Sequence, residues 1–322
     1  MAELAVRGQL TLVELAKRTH NKELLQIAEI LNEDNELFDD AVWSEANDLT
    51  SHVYTQRSSL PTGSWRSINE GVTEESSSTK QVRESLGILE AFSKVDCLLV
   101  DNAPNPTQFR TDEDMAFIEG MGQNLVEKFF YGNEATDPEE ITGLSVRSAY
   151  DATTDANVWD AGGDGSDTMS CWIIQWGVRS VFLTYPRGSK SMGINRTDLG
   201  KQIAYDSEYK PYMAYWSNFA ANVGIVIRDD RRVQRIVNIE SAGAANIFDE
   251  DLLIKALNHM PQRGAGAIVY MNETLLSQMD IRAKDKSNVN WQPGEAFGKQ
   301  MTYFNGHPVK KVDQLVITET AI

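Results

Sequence analysis

The stretch that decides the fold is residues 111–133, TDEDMAFIEGMGQNLVEKFFYGN. Its apolar and small residues recur at helical spacing, as Met115, Ile118, Gly122, Leu125 and Phe129. The spacing predicts a helix over 111–131, with Thr111 and Asp114 as its capping signature. Gly132 then stands where the helix would end. The apolar face is wide, so we expect Phe129 and Phe130 to be buried.

The N-terminal segment is predicted to be an arm without a core of its own. Residues 10–31 carry apolar residues at helical spacing, and the chain then becomes rich in carboxylates. Residues 1–50 hold 4 Lys/Arg against 11 Asp/Glu, whereas residues 271–322 hold six of each. We therefore interpret residues 1–45 as an extended, acidic arm with a helical portion.

Residues 46–90 differ in kind from the segments around them. Two extended, polar stretches are predicted at 52–58 and 63–69, separated by a turn at Pro61, and a Ser/Thr/Glu-rich piece follows. A long polar pair of strands is not stable in water by itself. Either this loop is disordered, or its partner is another chain.

The rest of the chain predicts a mixed α+β fold. Strands are expected on both sides of Gly177, at Val223–Ile227, in AIVYM (267–271) and in QLVIT (314–318). Helices are expected around Leu252–Leu257, ending before Pro261, and after a cap at Asn272. An Asn305-Gly306 turn predicts a hairpin.

Composition limits the class of protein. The net charge of −17 disfavours binding to nucleic acid or to an anionic membrane. Cys97 and Cys171 lie in apolar runs and are expected to be buried free thiols, without a disulfide or a cysteine-based metal site. No signal peptide or membrane-spanning run is recognised, which predicts a cytosol-like compartment for folding.

Each motif that suggests a ligand is incomplete. The run around Lys190, PRGSKSMG, lacks the glycine spacing of a phosphate loop. DAGGDGSD, with Asp160, Asp164 and Asp167, resembles a calcium loop, but Cys171 stands where the bidentate glutamate is needed. A flexible acidic turn is favoured, and weak calcium binding stays open. The histidines show no metal-ligand spacing; they are His20, His52, His259 and His307.

The densest basic cluster is RDDRRVQR, containing Arg228, Arg231, Arg232 and Arg235. The interleaved aspartates favour a turn whose arginines pair with carboxylates, in this chain or on a neighbouring subunit, over a nucleic-acid site. Lys80 is interpreted as a solvated lysine. No catalytic, cofactor-binding or metal-binding residue is predicted, and a core, an arm and a polar loop without an active site indicate a protein that contacts copies of itself.

The order of these segments resembles a known family. The acidic arm, the extended loop, the helix ending in FFYGN, ITGLSVR, WGVRSVFLTYPRG, RRVQRIVNI and the closing FNGHPVKKVDQLVITE follow one another as in major capsid proteins of tailed bacteriophages with the HK97-type fold. The resemblance covers the chain from about residue 10 onward. It is strongest to the short-tailed phage group of the BPP-1 type.

The resemblance implies a domain organisation. Residues 1–45 would be the N-terminal arm and 46–90 the E-loop, which lies on the adjacent subunit's peripheral domain. Residues 91–143 would be the peripheral domain with the long spine helix. Residues 144–247 would be mainly the axial domain, and 248–322 the return through the axial and peripheral domains.

The resemblance also implies the partners. Many copies would form hexamers and pentamers of an icosahedral head around double-stranded DNA, with a portal and possible scaffolding or decoration proteins. DNA contact would be weak and non-specific, no membrane or cofactor would be involved, and assembly would take place in the host cytoplasm. Some relatives are cross-linked through a lysine and an asparagine. Lys80 and Asn288, Asn290 or Asn305 do not form a recognisable motif, so we expect no cross-link.

Two alternatives accompany this interpretation. One is an encapsulin-like nanocompartment shell, which has the same fold. The other is a β-rich protein that binds or hydrolyses carbohydrate, suggested by the seven tryptophans and the acidic loop near Trp159.

Overall fold

The computed structural model describes residues 19–20, 23–24, 36–189, 193–243, 245–285, 291–296 and 299–322. The helices are α1 (Leu37–Asp40), α2 (Cys97–Asp101), α3 (Pro106–Tyr131), α4 (Glu250–His259) and α5 (Glu273–Asp285). The strands are β1 (Thr19–His20), β2 (Glu23–Leu24), β3 (Trp43–Glu45), β4 (Ser51–Ser59), β5 (Ser78–Ser85), β6 (Gly87–Asp96), β7 (Val158–Asp160), β8 (Thr168–Ile174), β9 (Val181–Tyr185), β10 (Ile194–Tyr205), β11 (Pro211–Ile227), β12 (Val233–Glu240), β13 (Ile268–Met271), β14 (Trp291–Ala296), β15 (Lys299–Phe304) and β16 (His307–Lys311).

The chain divides into two compact units. The helix–hairpin unit contains residues 88–127 and 193–222, and the sheet unit contains residues 36–87, 128–189 and 223–322 as far as they are described. Helix α3 and strand β11 each continue from one unit into the other. The helical portion expected within residues 10–31, as two short helices or one broken near Thr19, lies mostly outside the described residues. Within it, β1 and β2 pair as antiparallel strands.

The helix–hairpin unit is built on a long antiparallel ribbon. Strands β10 and β11 pair from Ile194↔Ala221 to Tyr205↔Pro211, and β6 also pairs with β11. A small apolar cluster packs on this ribbon and consists of Val95, Leu99, Val100, Ala103 and Phe109, with Tyr215 against it. The cluster gives the first part of α3 a buried side.

The sheet unit holds the larger core. Seven strands lie in the order β14-β15-β16-β13-β8-β12-β7. Leu253 and Leu257 of α4 and Leu275 of α5 join the cluster that also contains Ile173 and Val269 of the sheet. Strand β8 is buried along its whole length, which accounts for its continuous apolar run.

The helix expected at 111–131 is present but begins five residues earlier. Asn105 is its cap, because its Oδ1 accepts a hydrogen bond from the Gln108 amide at 3.3 Å, and Pro106 occupies the first helical position. The capping signature assigned to Thr111 and Asp114 was therefore wrong; Thr111 Oγ1 instead donates to the Thr107 carbonyl inside the helix.

The end of this helix is confirmed at Tyr131, with Gly132 after it. Phe129 and Phe130 are buried as expected. A side chain at Gly132 would collide with the carbonyl oxygens of Lys128 and Ile141, so the chain can pass here only as glycine.

Several other predicted elements are confirmed. They are the strands on both sides of Gly177, the strand through 223–227, both C-terminal helices with Asn272 Oδ1 accepting from the Leu275 amide, and the Asn305-Gly306 hairpin. Both turn residues have positive φ, 50° and 83°. Cys97 and Cys171 are buried free thiols.

Two strand predictions were wrong. Residues 63–69 form no strand, and the partner of β4 is β5 at 78–85. Residues 314–318 also form no strand, because the Leu315 amide closes a turn onto the Val312 carbonyl, and Glu319 alone bridges to Thr168. In both places the residues lie in turns or exposed backbone, where polar alternation says little about pairing.

Candidate assembly surfaces

The polar hairpin of β4 and β5 changes character along its length. Its strands pair from Ser51↔Ser85 to Ser59↔Ser78. At the root, Ser51, His52 and Tyr54 are buried, whereas the far end of β4 and residues 60–77 are exposed. We call residues 60–77 the hairpin tip. The hairpin therefore has a fixed root and a tip that extends beyond its own core.

A bidentate ion pair fixes the root. Arg147 Nη1 lies 2.8 Å from Glu84 Oε1, and Arg147 Nη2 lies 3.0 Å from Glu84 Oε2. The same guanidinium also donates to the carbonyls of Thr142 and Ile225. On β4, the Tyr54 hydroxyl donates to the Ile227 carbonyl at 2.6 Å. Burial and the nearby Glu84 carboxylate raise the pKa of Tyr54, so this hydroxyl remains a donor.

The hairpin tip exposes large apolar side chains. Trp65 is fully exposed at 105% and Ile68 is exposed at 91%, and Leu60 and Val72 are also exposed. The carboxylate of Glu75 holds the start of the tip by accepting from the amides of Thr62 and Gly63, at 2.7 and 2.9 Å. Exposed apolar side chains gathered in one loop indicate an interaction site. The sequence carried this signal as a tryptophan and an isoleucine within a polar run.

A second anchor lies within the sheet unit and holds the segment that contains α1. Lys310 Nζ lies 2.7 Å from Asp40 Oδ1 and 3.1 Å from Glu36 Oε2, and the Tyr270 hydroxyl donates to Asp40. Burial opposes the charge on Lys310, but the two carboxylates outweigh it and raise the pKa of this amine. The segment before β3 is therefore held in place by buried charge.

The helix–hairpin unit exposes a second set of apolar side chains. Met115 and Ile118 are exposed on α3, and Ile203, Tyr205, Tyr209 and Met213 are exposed towards the end of the β10–β11 ribbon. Ile203 and Met213 face each other in register and so share one face of the ribbon.

Two of the cavities lined by described residues lie within the helix–hairpin unit. One, of about 270 Å³, is lined by Arg110, Arg196 and Asp198 among others. Arg110 lies 2.8 Å from Asp198, and Arg196 lies 2.6 Å from Asp114. The hydrogen bond from Arg110 lowers the pKa of Asp198, so these charges compensate one another. The other cavity, of about 380 Å³, is an apolar groove between β6 and α3.

The basic cluster pairs with carboxylates inside the chain. Arg231 and Arg232 both lie close to Asp229, in the turn between β11 and β12. Arg235 points into the sheet unit, where its Nη2 lies 2.9 Å from Glu319 Oε2. Carboxylate pairing within the chain is confirmed for Arg231, Arg232 and Arg235, whereas Arg228 lies over the Phe182 ring, 5.2 Å from its centroid. A pairing with a neighbouring subunit stays a prediction.

The remaining residues singled out in the sequence are not gathered into a site. Lys80 is exposed on β5 opposite Gln56. Asp160 Oδ1 accepts from the Gly162 amide and the Asn238 side chain, and His307 Nδ1 lies 3.2 Å from the Ala267 carbonyl oxygen. Lys190, Asn288 and Asn290 lie outside the described residues. Within the described part of the chain, no three His, Cys, Asp or Glu side chains are placed to hold a metal ion.

No helix among the described residues has the length and apolar character needed to cross a membrane.

The chain was compared with known proteins. The family model described as major capsid protein GP7 matches residues 19–322. A comparison with curated protein sequences found no match. A solved structure of bacteriophage Epsilon15 matches with a TM-score of 0.72 and 28% identity, covering 100% of this chain and 99% of that chain.

Two further solved structures are similar at a lower level. The capsid of the native GTA particle matches with a TM-score of 0.48 and 10% identity, covering 74% of this chain and 98% of that chain. The bacteriophage JBD30 capsid matches with a TM-score of 0.47 and 12% identity, covering 89% and 97%.

Proposed function

We propose a role in shell assembly for each part of this chain, from the premise that the chain belongs to the family of major capsid protein GP7. It is a structural protein of a tailed-phage head, many copies of which form the shell, and it is not an enzyme. The expected α+β, HK97-like fold is confirmed. Family membership excludes the carbohydrate-binding alternative, and the similarity to Epsilon15 favours a phage head over a nanocompartment.

The hairpin within residues 46–90 is proposed to be the E-loop, which lies on a neighbouring copy. The observation that supports this role is the exposed apolar tip on a root held by Arg147 and Glu84. A tip that buries Trp65 only on another copy adds interface area without requiring a larger core.

The two units are proposed to be the two domains of the capsid fold. The helix–hairpin unit fits the peripheral domain with the spine helix, to which residues 193–222 are added because they belong to the same compact unit. The sheet unit apart from the arm and the hairpin, residues 128–189 and 223–322 as far as they are described, fits the axial domain, including the return expected for residues 248–322. Residues 1–45 are proposed to be the N-terminal arm, whose described end is held at Lys310.

The finer partners follow from the same role. Hexamers and pentamers would enclose double-stranded DNA, with a portal and possible scaffolding or decoration proteins, and assembly would take place in the host cytoplasm. The net charge of −17 supports weak, non-specific contact with the packaged DNA. Membership of the short-tailed group stays a prediction.

Replacing residues 60–77 by Asn-Gly tests the E-loop role. The strands β4 and β5 would be retained, so the subunit should fold with an unchanged unfolding temperature. Electron microscopy should show closed shells from the unaltered chain and only subunits or small oligomers from the shortened one. Lys80→Ala, on the same hairpin, is the matched control and should assemble normally. Normal shells from the shortened chain would refute the assignment.

A further inference from the structure

We infer that Trp65 of the hairpin tip inserts into the apolar groove between β6 and α3 of a second copy of this chain. The inference rests on the proposed function, because it requires the tip to reach a neighbouring copy. Beyond that function, it identifies the two surfaces in contact, the hairpin tip of one copy and the groove between β6 and α3 of the other.

The tip presents Trp65 in an ordered backbone. Glu75 binds the amides of Thr62 and Gly63 on one side of it. On the other side, Ser67 and Glu70 close a turn, in which the Ser67 amide donates to the Glu70 carboxylate and the Glu70 amide donates to the Ser67 carbonyl. A backbone that is already ordered loses less conformational entropy when its side chain binds.

The groove is formed within the helix–hairpin unit. It has a volume of about 380 Å³, in the range of pockets that hold small ligands, and its lining is mainly apolar. The lining residues are Leu89, Glu90, Ala91, Ala116, Phe117, Gly120, Met121 and Asn124. Phe117 stacks on Phe219 with ring centroids 5.5 Å apart, which fixes one wall.

Gly120 leaves the groove open beside α3. A Cβ placed at Gly120 would meet no atom within 4 Å, so the missing side chain leaves open space beside the helix. A glycine in a helix interior costs about 1 kcal/mol relative to alanine. The missing side chain therefore leaves room in the groove for a bulky group from another chain.

The occupant fits in size, polarity and charge. An indole ring buries the largest apolar area of any side chain and suits a groove with few polar groups. Arg66 stands beside Trp65 and carries the charge opposite to that of Glu90, the charged residue of the lining. The other charged residues of the tip are Glu70, Glu74 and Glu75, of which Glu70 and Glu75 accept hydrogen bonds from backbone amides of the tip itself. Trp65 is fully exposed in its own chain, and many copies of this shell protein assemble together, so the ring is accessible to another copy.

Cysteine cross-linking tests the contact directly. The variant Trp65→Cys with Gly120→Cys is assembled and treated with a short bismaleimide; the native Cys97 and Cys171 are buried and should not react. Covalent multimers should form in shells and not in dissociated subunits. The control pairs Trp65→Cys with Gly122→Cys, which points about 200° away around the helix and also has open space at its Cβ. Equal yields from the two pairs, or none from the first, would overturn the inference.

A double-mutant cycle with Gly120→Leu and Trp65→Ala tests the same contact if the cysteine variant assembles poorly. Gly120→Leu fills the groove and Trp65→Ala removes the group that enters it, so each should raise the subunit concentration needed for assembly about tenfold or more. The double variant should recover part of that loss, because the new leucine then contacts the shortened tip. Gly122→Leu should assemble normally.

Two outcomes separate this inference from the E-loop role. If the 60–77 replacement blocks assembly while Gly120→Leu and Trp65→Ala assemble normally, the tip docks elsewhere and the groove assignment is wrong. If the 60–77 replacement assembles normally, the E-loop role itself fails. Circular dichroism of each subunit confirms that a loss of assembly does not arise from unfolding.

Discussion

Arg147 and Glu84 form a bidentate ion pair at the root of the hairpin, with nitrogen–oxygen distances of 2.8 and 3.0 Å. Both side chains are largely buried, at 14% and 13% exposure. The pair fixes the position of the root from which the exposed tip extends. A largely buried ion pair therefore restricts movement of the hairpin at its root.

Arg147→Ala is expected to destabilise the subunit by about 3 kcal/mol, because it leaves the Glu84 carboxylate buried without a partner. Urea unfolding of the subunit measures this change. Arg83→Ala is the control, on the strand that carries Glu84. Arg83 is 70% exposed and lies 4.0 Å from Asp48, so this substitution should change stability by less than about 0.5 kcal/mol. If the two substitutions change the free energy of unfolding equally, the Arg147–Glu84 pair does not stabilise the root more than an exposed ion pair does.

Glu319→Gln is expected to destabilise the sheet unit by about 3 kcal/mol, because Arg235 would keep a buried charge without a counter-ion. Glu319 accepts from Arg235 at 2.9 Å, from the Tyr131 hydroxyl at 2.6 Å and from the Ser170 hydroxyl. These contacts close the C-terminal segment onto β8 and β12.

Glu273→Gln is the matched control, because this carboxylate is 76% exposed and pairs with Lys311 at 3.4 Å. Its unfolding free energy should stay within about 0.5 kcal/mol of the unaltered subunit. A Glu319→Gln subunit as stable as this control would contradict the assigned role of the buried pair.

Local signals predicted the elements that local chemistry determines. Gly132 marked the end of the long helix, where the neighbouring carbonyls leave no room for a side chain. Asn305-Gly306 marked a hairpin, because few residue types adopt the positive φ that both turn residues have. The start of the helix was missed because Asn105 and Thr111 are both acceptable caps. Pro106 decides between them, since it suits the first helical position.

Long-range partners could not be predicted. Arg235 and Glu319 are 84 residues apart, and their pairing depends on the register of β12 and on the path of the C-terminal segment. The apolar groove likewise joins Ala91 with Gly120, which no sequence period connects. Trp65, by contrast, was visible in the sequence as an aromatic residue in a polar run. The sequence alone did not indicate what it contacts.

Gly132→Ala is expected to destabilise the subunit by more than about 2 kcal/mol, because the added Cβ would collide with backbone carbonyls of Lys128 and Ile141, which cannot move aside. Gly122→Ala is the control in the same helix. Its Cβ would enter open space, and the higher helix propensity should stabilise the subunit by about 0.5–1 kcal/mol. Urea unfolding compares the two. A neutral Gly132→Ala would show that the turn after the helix can rearrange.

His52 lies opposite Glu84 in the hairpin register and should make the stability of the subunit depend on pH. Its ring packs edge-on against Phe182 at 5.5 Å, and neither ring nitrogen has a hydrogen-bond partner among the described residues. Arg228 lies over the same Phe182 ring at 5.2 Å. Burial, and then the charge of Arg228, lower the pKa of His52, against a smaller opposing effect of Glu84.

Because the pKa of His52 is lowered in the folded state, protonation of His52 favours the unfolded state. The folded state keeps His52 neutral, whereas the unfolded chain takes up a proton near its ordinary pKa of about 6.5. The free energy of unfolding is therefore fully retained above about pH 6.5 and falls as the pH drops from there towards the pKa of His52 in the folded state. The total loss is about 1.4 kcal/mol for each unit by which the folded pKa lies below the unfolded one. His52→Phe, which keeps an aromatic ring against Phe182, should remove this part of the loss.

Urea unfolding at about pH 8 and about pH 5 measures the difference for each variant. His259→Gln, at the exposed end of α4, should keep the pH dependence of the unaltered subunit. If His52→Phe loses as much stability on acidification as the unaltered subunit does, the buried histidine does not couple the hairpin root to pH. If it loses less, mild acid loosens the root, and the tip of the hairpin should be released from the neighbouring copy before the sheet unit unfolds.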